Sequence, residues 1–220
     1  MSIEQIYTDC MNCNHRPDCI RLNPGRIKAF HNEEPLPPRS FYYEGNHPVD
    51  ILVVGINPGH PYGEAIPKEM DCYRGLDGEA LFRSFMNFQE ETLPQFMQGA
   101  HRRRFFPNLF SYLSYVLDVP MTMANIFQRA AYTNLFKCST IQSFSNAGIM
   151  GETVQLCLES YLVREIEYFE PSIVIALGRY VEQYLRDRIA PPVFWVKHPS
   201  YPWAVAERTA VLNNIRNHIP

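Results

Sequence analysis

Asn57, Asn134 and His198 are two amides and an imidazole, and each stands where a run of apolar residues stops. The first lies in Gly55-Ile56-Asn57-Pro58-Gly59, the second in Thr133-Asn134-Leu135-Phe136-Lys137-Cys138, and the third in His198-Pro199-Ser200. A carboxamide carries donors and an acceptor, so it can orient a water or read a polar edge, although it is a poor base. An imidazole donates or accepts according to its protonation state. No paired carboxylates accompany the three, so acid–base work by two acidic groups is not expected here. The glycines at 55 and 59 let the backbone turn tightly and come close to a ligand. Taken alone, each motif also reads as a plain strand-to-helix turn, the third with a satisfied histidine.

Thiols form the second set. Cys10-x2-Cys13 has a metal-ligand spacing, because two thiolates three apart can grip one ion or cluster from a single turn. Cys138 follows an apolar run, and Cys157 falls on the apolar stripe of a helical segment, where a small core residue is the plainer reading. Together the four offer a set that suits zinc or an iron–sulfur cluster. Cys19 could substitute for one of the early pair, whereas Cys72 stands apart.

The elements that position these groups follow from hydrophobic patterning. Asp50–Ile56, the run Ala131-Tyr132-Thr133-Asn134-Leu135-Phe136, Ser172–Gly178 and Val193–Lys197 are of strand length and do not alternate with polar residues. Helical spacing separates them. It is clearest over 152–169, where Val154, Leu158, Tyr161, Leu162, Ile166 and Phe169 make one stripe, and it recurs over 78–91, 108–119, 179–189 and 204–218. Continuous apolar strands alternating with helices predict a parallel sheet covered on both faces. The expected fold is therefore α/β, a three-layer αβα sandwich with a central, mainly parallel four-stranded sheet. In such sheets functional groups gather at the carboxyl ends of the strands, where the two amides and the imidazole fall. Residues 1–48 read as an irregular cysteine- and proline-containing lead-in with one short helix near Ile3–Tyr7, packed on a single domain spanning 1–220.

Composition sets the bounds. A 220-residue chain that is 46% hydrophobic can bury a substantial core. A formal charge of −3 gives no bulk signal for nucleic acid, although a local basic run such as 101–106 (His-Arg-Arg-Arg-Phe-Phe) can still contact phosphates. No stretch approaches the roughly 18 apolar residues of a membrane span. The N-terminus lacks a basic start and an apolar run, so no leader and a cytoplasmic location are expected. In a reducing compartment the six cysteines read as free thiols or metal ligands rather than disulfides.

Taken together, the motifs resemble the uracil-DNA glycosylase superfamily. Residues 55–59 look like its first motif in the mismatch-specific form, and His198-Pro199-Ser200-Tyr201-Pro202-Trp203 looks like its second. Thr133–Cys138, Cys157 and Pro171–Gly178 look like the family 4-like branch that carries a four-iron, four-sulfur cluster. That branch has Gly-Glu-Ala-Pro-Gly at the first motif and Arg-Pro-Pro after the third cysteine, where this chain has Ser139-Thr140-Ile141.

The resemblance implies hydrolysis of the N-glycosidic bond of uracil or a modified pyrimidine flipped out of single- or double-stranded DNA. It implies that Asn57 holds the attacking water, His198 donates to the departing base and Asn134 reads its pairing edge. Gly55, Ile56, Pro58, Gly59 and Ser200 would line the site. Tyr62 or Tyr73 would stack on the base, with Phe82 a weaker candidate better read as core. Tyr201, Pro202 or Trp203 would wedge the duplex, with core packing an equal reading for Trp203. Lys137 reads as near a phosphate or merely solvated. Cys10, Cys13, Cys138 and Cys157 would ligate a 4Fe-4S cluster, with zinc the alternative. The expected protein is a monomer with DNA as partner. The competing readings are a non-catalytic nucleic-acid-binding protein on the same fold and a small redox or zinc-stabilised protein.

Overall fold

The chain is described from a computed structural model covering residues 2–31, 33–36, 47–56, 70–71, 74–97, 105–140, 148–149 and 151–220. In chain order its elements begin with helices α1 (Ile3–Met11) and α2 (Arg16–Leu22), then strands β1 (Ile27–Lys28), β2 (Phe30–His31), β3 (Glu34–Pro35) and β4 (Ile51–Gly55). Helices α3 (Gly78–Met97), α4 (Phe105–Leu117) and α5 (Met123–Phe127) precede strands β5 (Ala130–Asn134) and β6 (Ser139–Thr140). Helix α6 runs from Gly151 to Phe169 with a π turn at Leu158–Leu162, and β7 (Ile173–Leu177), α7 (Arg179–Leu185), β8 (Val193–Val196) and α8 (Val205–Arg216) complete the chain.

Two compact units emerge. One comprises Phe41–Gly55, Gln89–Thr133 and Phe169–Pro220. It carries a four-stranded sheet in the order β5-β4-β7-β8. Parallel registers set Ile51 beside Ile173 and Val174 beside Val193. The Arg129 carbonyl accepts from the backbone N–H groups of Asp50 and Ile51, which starts β4 and β5 level with each other. Ile51, Val53, Ile173, Ile175 and Leu177 point into a core shared with Leu109, Phe110 and Leu113 of α4 and with Leu212 and Ile215 of α8. The intervening residues Leu52, Val54, Val174 and Ala176 are equally buried, so both faces of the sheet are covered. This is the α/β sandwich expected from the non-alternating strands. Gly178 ends β7 at φ 108°, a conformation that favours glycine, and its N–H bonds the carbonyls of Ala176 and Val196.

The other unit comprises Met1–Ser40, Ile56–Phe88 and Asn134–Tyr168. Where an irregular lead-in with one short helix was expected, two helices form. Ser2 caps α1 by accepting from the Gln5 N–H, and Ile3, Ile6, Tyr7, Cys10 and Met11 make its buried face at helical spacing. Tyr7 packs on Phe82 and Phe85 of α3 at 5.6 and 4.8 Å between ring centroids, so Phe82 is a core residue. Strand β1 pairs antiparallel with β6, Ile27 opposite Thr140 and Lys28 opposite Ser139, which fastens the stretch after Cys138 to the N-terminal segment. Asn23 donates from one buried amide to the Cys19 carbonyl and to the Thr153 hydroxyl, linking α2 to α6. Arg164 bonds Asp9 at 2.5 Å and links α6 to α1. None of the described helices is long and apolar enough to cross a membrane.

Candidate functional site

The second of these units gathers the thiols. Cys10 lies on the buried face of α1 near its end, Cys13 follows the helix, and Cys19 lies on α2. Cys138 sits between β5 and β6, and Cys157 leads into the π turn of α6. All five line one pocket, together with His15, Arg16, Lys137, Leu156 and Tyr161. Free thiols are paired by no disulfide here. Burial pushes the Cys19 thiol up to about 11 and that of Cys138 up to about 12, and it holds Cys10 and Cys157 well above their ordinary range. Cys10, Cys19, Cys138 and Cys157 therefore stay protonated at neutral pH in this pocket. Among the described residues no three His, Cys, Asp or Glu side chains come close enough together to hold a single metal ion.

Lys137 departs from both readings of the sequence. It is neither solvated nor free for a phosphate, being 3% exposed with its Nζ 2.6 Å from Glu165 Oε2, also 3% exposed. The signal was present in α6: Glu165 lies three residues after Leu162 and four after Tyr161, on the buried stripe itself. A carboxylate placed there needs a buried cation. The π turn of α6 adds one residue to the helical repeat just after Cys157 and carries Tyr161, another lining residue.

The sheet-bearing unit positions the imidazole. His198 follows β8 by two residues and rests against Phe105 of α4, ring centroids 5.1 Å apart, and against Tyr201 at 5.8 Å. The Ser200 backbone N–H donates to His198 Nδ1 at 3.3 Å. A backbone N–H cannot accept, so in this arrangement Nδ1 is the acceptor and the ring proton resides on Nε2. Burial lowers the His198 pKa to about 4, which keeps the ring neutral at neutral pH. Asn108 Nδ2 donates to the Pro199 carbonyl at 2.7 Å and so holds the loop against α4. Phe105 and Asn108 are the two supporting residues that sequence reasoning did not find.

Trp203 is not a wedge. It is buried in the core, its ring 5.9 Å from Tyr112 and 6.1 Å from Trp195, whereas Tyr201 is 49% exposed and Pro202 is exposed. Asn134 is buried as the last residue of β5, and Gly55 as the last of β4. Ile56 follows β4, and its carbonyl accepts from the Phe136 N–H. Asn57, Pro58, Gly59, Tyr62, Tyr73, Cys72 and the basic residues of 101–104 lie outside the described residues.

A family model described as the uracil DNA glycosylase superfamily matches residues 42–215. The chain belongs to that superfamily. The match begins after Cys10, Cys13, Arg16 and Cys19, so the early thiols are a feature of this chain beyond the matched span. No curated protein matches the chain significantly.

Proposed function

We propose that this chain is a DNA glycosylase that hydrolyses the N-glycosidic bond of uracil or a modified pyrimidine flipped out of DNA. The observation that carries the reading is the Ser200 N–H donating to His198 Nδ1, which leaves Nε2–H as a donor beside the end of β8, in a chain of this superfamily. As the glycosidic bond breaks, negative charge grows on a carbonyl oxygen of the departing base. A neutral imidazole N–H is a donor whose bond to that oxygen strengthens along the reaction, which is the condition for lowering the barrier. Its low pKa also means that it donates a hydrogen bond rather than carrying a positive charge into the site. Asn57 would orient the water that attacks the sugar, and Asn134 would pair with the edge of the base through its amide. Ser200 serves twice, once in the substrate loop and once through the N–H that sets the His198 tautomer. Tyr201, exposed on the same loop, is the residue we assign to the duplex or to flanking bases.

We further propose that Cys10, Cys13, Cys138 and Cys157 hold a 4Fe-4S cluster. What supports this is that all four thiols line one pocket. A cluster is several atoms across and takes thiolates spread round a wider pocket. Bound there, the group supplies a covalent staple for the turn after Asn134 and takes no part in bond breaking.

The test is base release from a panel of single- and double-stranded oligonucleotides carrying uracil or modified pyrimidines, with wild-type protein and with Asn57→Ala and His198→Ala. Release that the substitutions abolish without unfolding the chain supports the enzyme. DNA binding without release from any substrate supports the non-catalytic reading instead.

A further inference from the structure

Arg16 is a buried cation without a counter-ion among the described residues. It is 4% exposed. Its guanidinium donates to three backbone carbonyls, those of Ala29 at 3.1 Å, Cys10 at 3.2 Å and Leu36 at 3.2 Å. Its Nε, also buried, has no hydrogen-bond partner, and the ring of Phe30 lies 5.6 Å away. Carbonyls satisfy N–H groups but bring no net charge. A buried charge left in that state is strongly disfavoured, so such a group implies an anion beside it. Arg16 lines the five-thiol pocket. The other cation of the lining, Lys137, is already paired with Glu165 and contributes no net charge.

We propose that Arg16 is the counter-charge of the group held in this pocket: the pocket is built to take its contents as an anion, and Arg16 compensates them. The proposal rests on the cluster assignment above. A cluster ligated by four thiolates leaves a net negative charge, which matches one fixed cation better than an empty or neutral pocket does. The Cys10 carbonyl ties the guanidinium to the chain of a proposed ligand, so charge compensation and ligand placement are coupled in one side chain. Arg16 acts through its charge and its carbonyl bonds, and is a positioning residue rather than a catalytic one.

The experiment compares wild type with Arg16→Lys and Arg16→Gln, each purified without oxygen. It measures iron and sulfide per chain, visible absorption, the rate of iron loss to a chelator and the reduction midpoint. Arg16→Gln is expected to release iron about ten- to a hundredfold faster and to show a more negative midpoint, whereas Arg16→Lys, which keeps the charge, stays near wild type on both. Equal damage in the two variants, or failure of both to fold while Cys138→Ser folds, makes Arg16 a carbonyl clamp and overturns the proposal. So does an Arg16→Gln protein whose iron content, iron release and midpoint match wild type. Wild-type protein that never carries iron sinks the cluster assignment itself, which is a separate failure visible before any variant is made.

Discussion

The thiol pocket and the His198 loop are built on opposite plans. The pocket is assembled from residues far apart in sequence and is held by charged and amide side chains: Lys137 on Glu165, Arg164 on Asp9, Asn23 on Thr153, Arg16 on three carbonyls. The loop is held by one side-chain amide, one backbone N–H and contacts with two aromatic rings. A site whose role is to fix the chain can use buried charge, because each charge fails badly without its partner. On the proposed function the loop must donate one hydrogen bond from a neutral group, and ring packing around His198 favours that neutral form. The contrast predicts that the pocket breaks by losing stability and the loop by losing rate.

Glu165→Ala should have the largest effect on the fold. It removes the carboxylate that bonds Lys137 with both side chains 3% exposed, and breaking such a buried pair costs about 3–5 kcal/mol. Urea unfolding should show it as a lower midpoint. The double replacement Lys137→Met with Glu165→Leu should recover most of the loss, because it removes both charges. A single variant as stable as wild type would mean that the pair is not what holds the turn after β5.

His198→Ala should leave the unfolding midpoint nearly unchanged and reduce base release about a hundred- to a thousandfold, the usual effect of removing one donor to a developing oxyanion. The two variants thus fail in opposite assays. If His198→Ala instead unfolds the chain and Glu165→Ala only slows it, the division between the regions is wrong.

Acid sharpens the same division. His198 titrates near 4 in the folded chain, below its ordinary 6.5. The unfolded chain therefore takes up the proton first as the pH falls, and the stability due to this ring is fully present above pH 6.5 and lost between 6.5 and 4. With respect to His198, the rate should stay flat down to about pH 5 and fall below about 4, where protonation of Nδ1 breaks the bond from Ser200. A pH–rate profile with an inflection near 6.5 would contradict the half-buried, neutral ring. In His198→Gln the acid loss of stability over that window should shrink.

Much of this was legible before any coordinates. β4 and β7 are continuous aliphatic runs because both faces of the sheet are covered, and nothing but burial explains such runs. Helix α2 was not legible: Arg16, Pro17, Asp18 and Arg21 break any apolar stripe in its seven residues, and tertiary ties at Arg16, Cys19 and Asn23 hold it instead. The four thiols could be picked out by type, but the charge that surrounds them could not. Lys137 reads as a surface residue until its partner, 28 residues on, is placed beside it. Trp203 likewise reads equally as wedge or core until Tyr112 and Trp195 are seen around it. Local patterning reports burial of elements well and reports side-chain partners poorly, since a partner is chosen by the fold rather than by the neighbours in sequence.

The smallest predicted effect tests the loop where the sequence is most silent. Asn108 and Pro199 are 91 residues apart, and one hydrogen bond of 2.7 Å joins them. Asn108→Ala removes a neutral donor to a backbone carbonyl, worth about 0.5–1.5 kcal/mol. The carbonyl can then turn to water, so global stability should change little. The cost should appear where the loop acts: Pro199 sits between His198 and the Ser200 N–H that fixes its tautomer, and loosening it lets the Nε2 donor wander. Base release should slow by a few-fold to about tenfold with DNA binding nearly unchanged, and Asn108→Asp, which cannot donate to the carbonyl when ionised, should be at least as slow. Equal rates in wild type and both variants would mean that ring packing on Phe105 alone holds His198. Slower release with equally weakened DNA binding would mean that the tether shapes the surface rather than the donor.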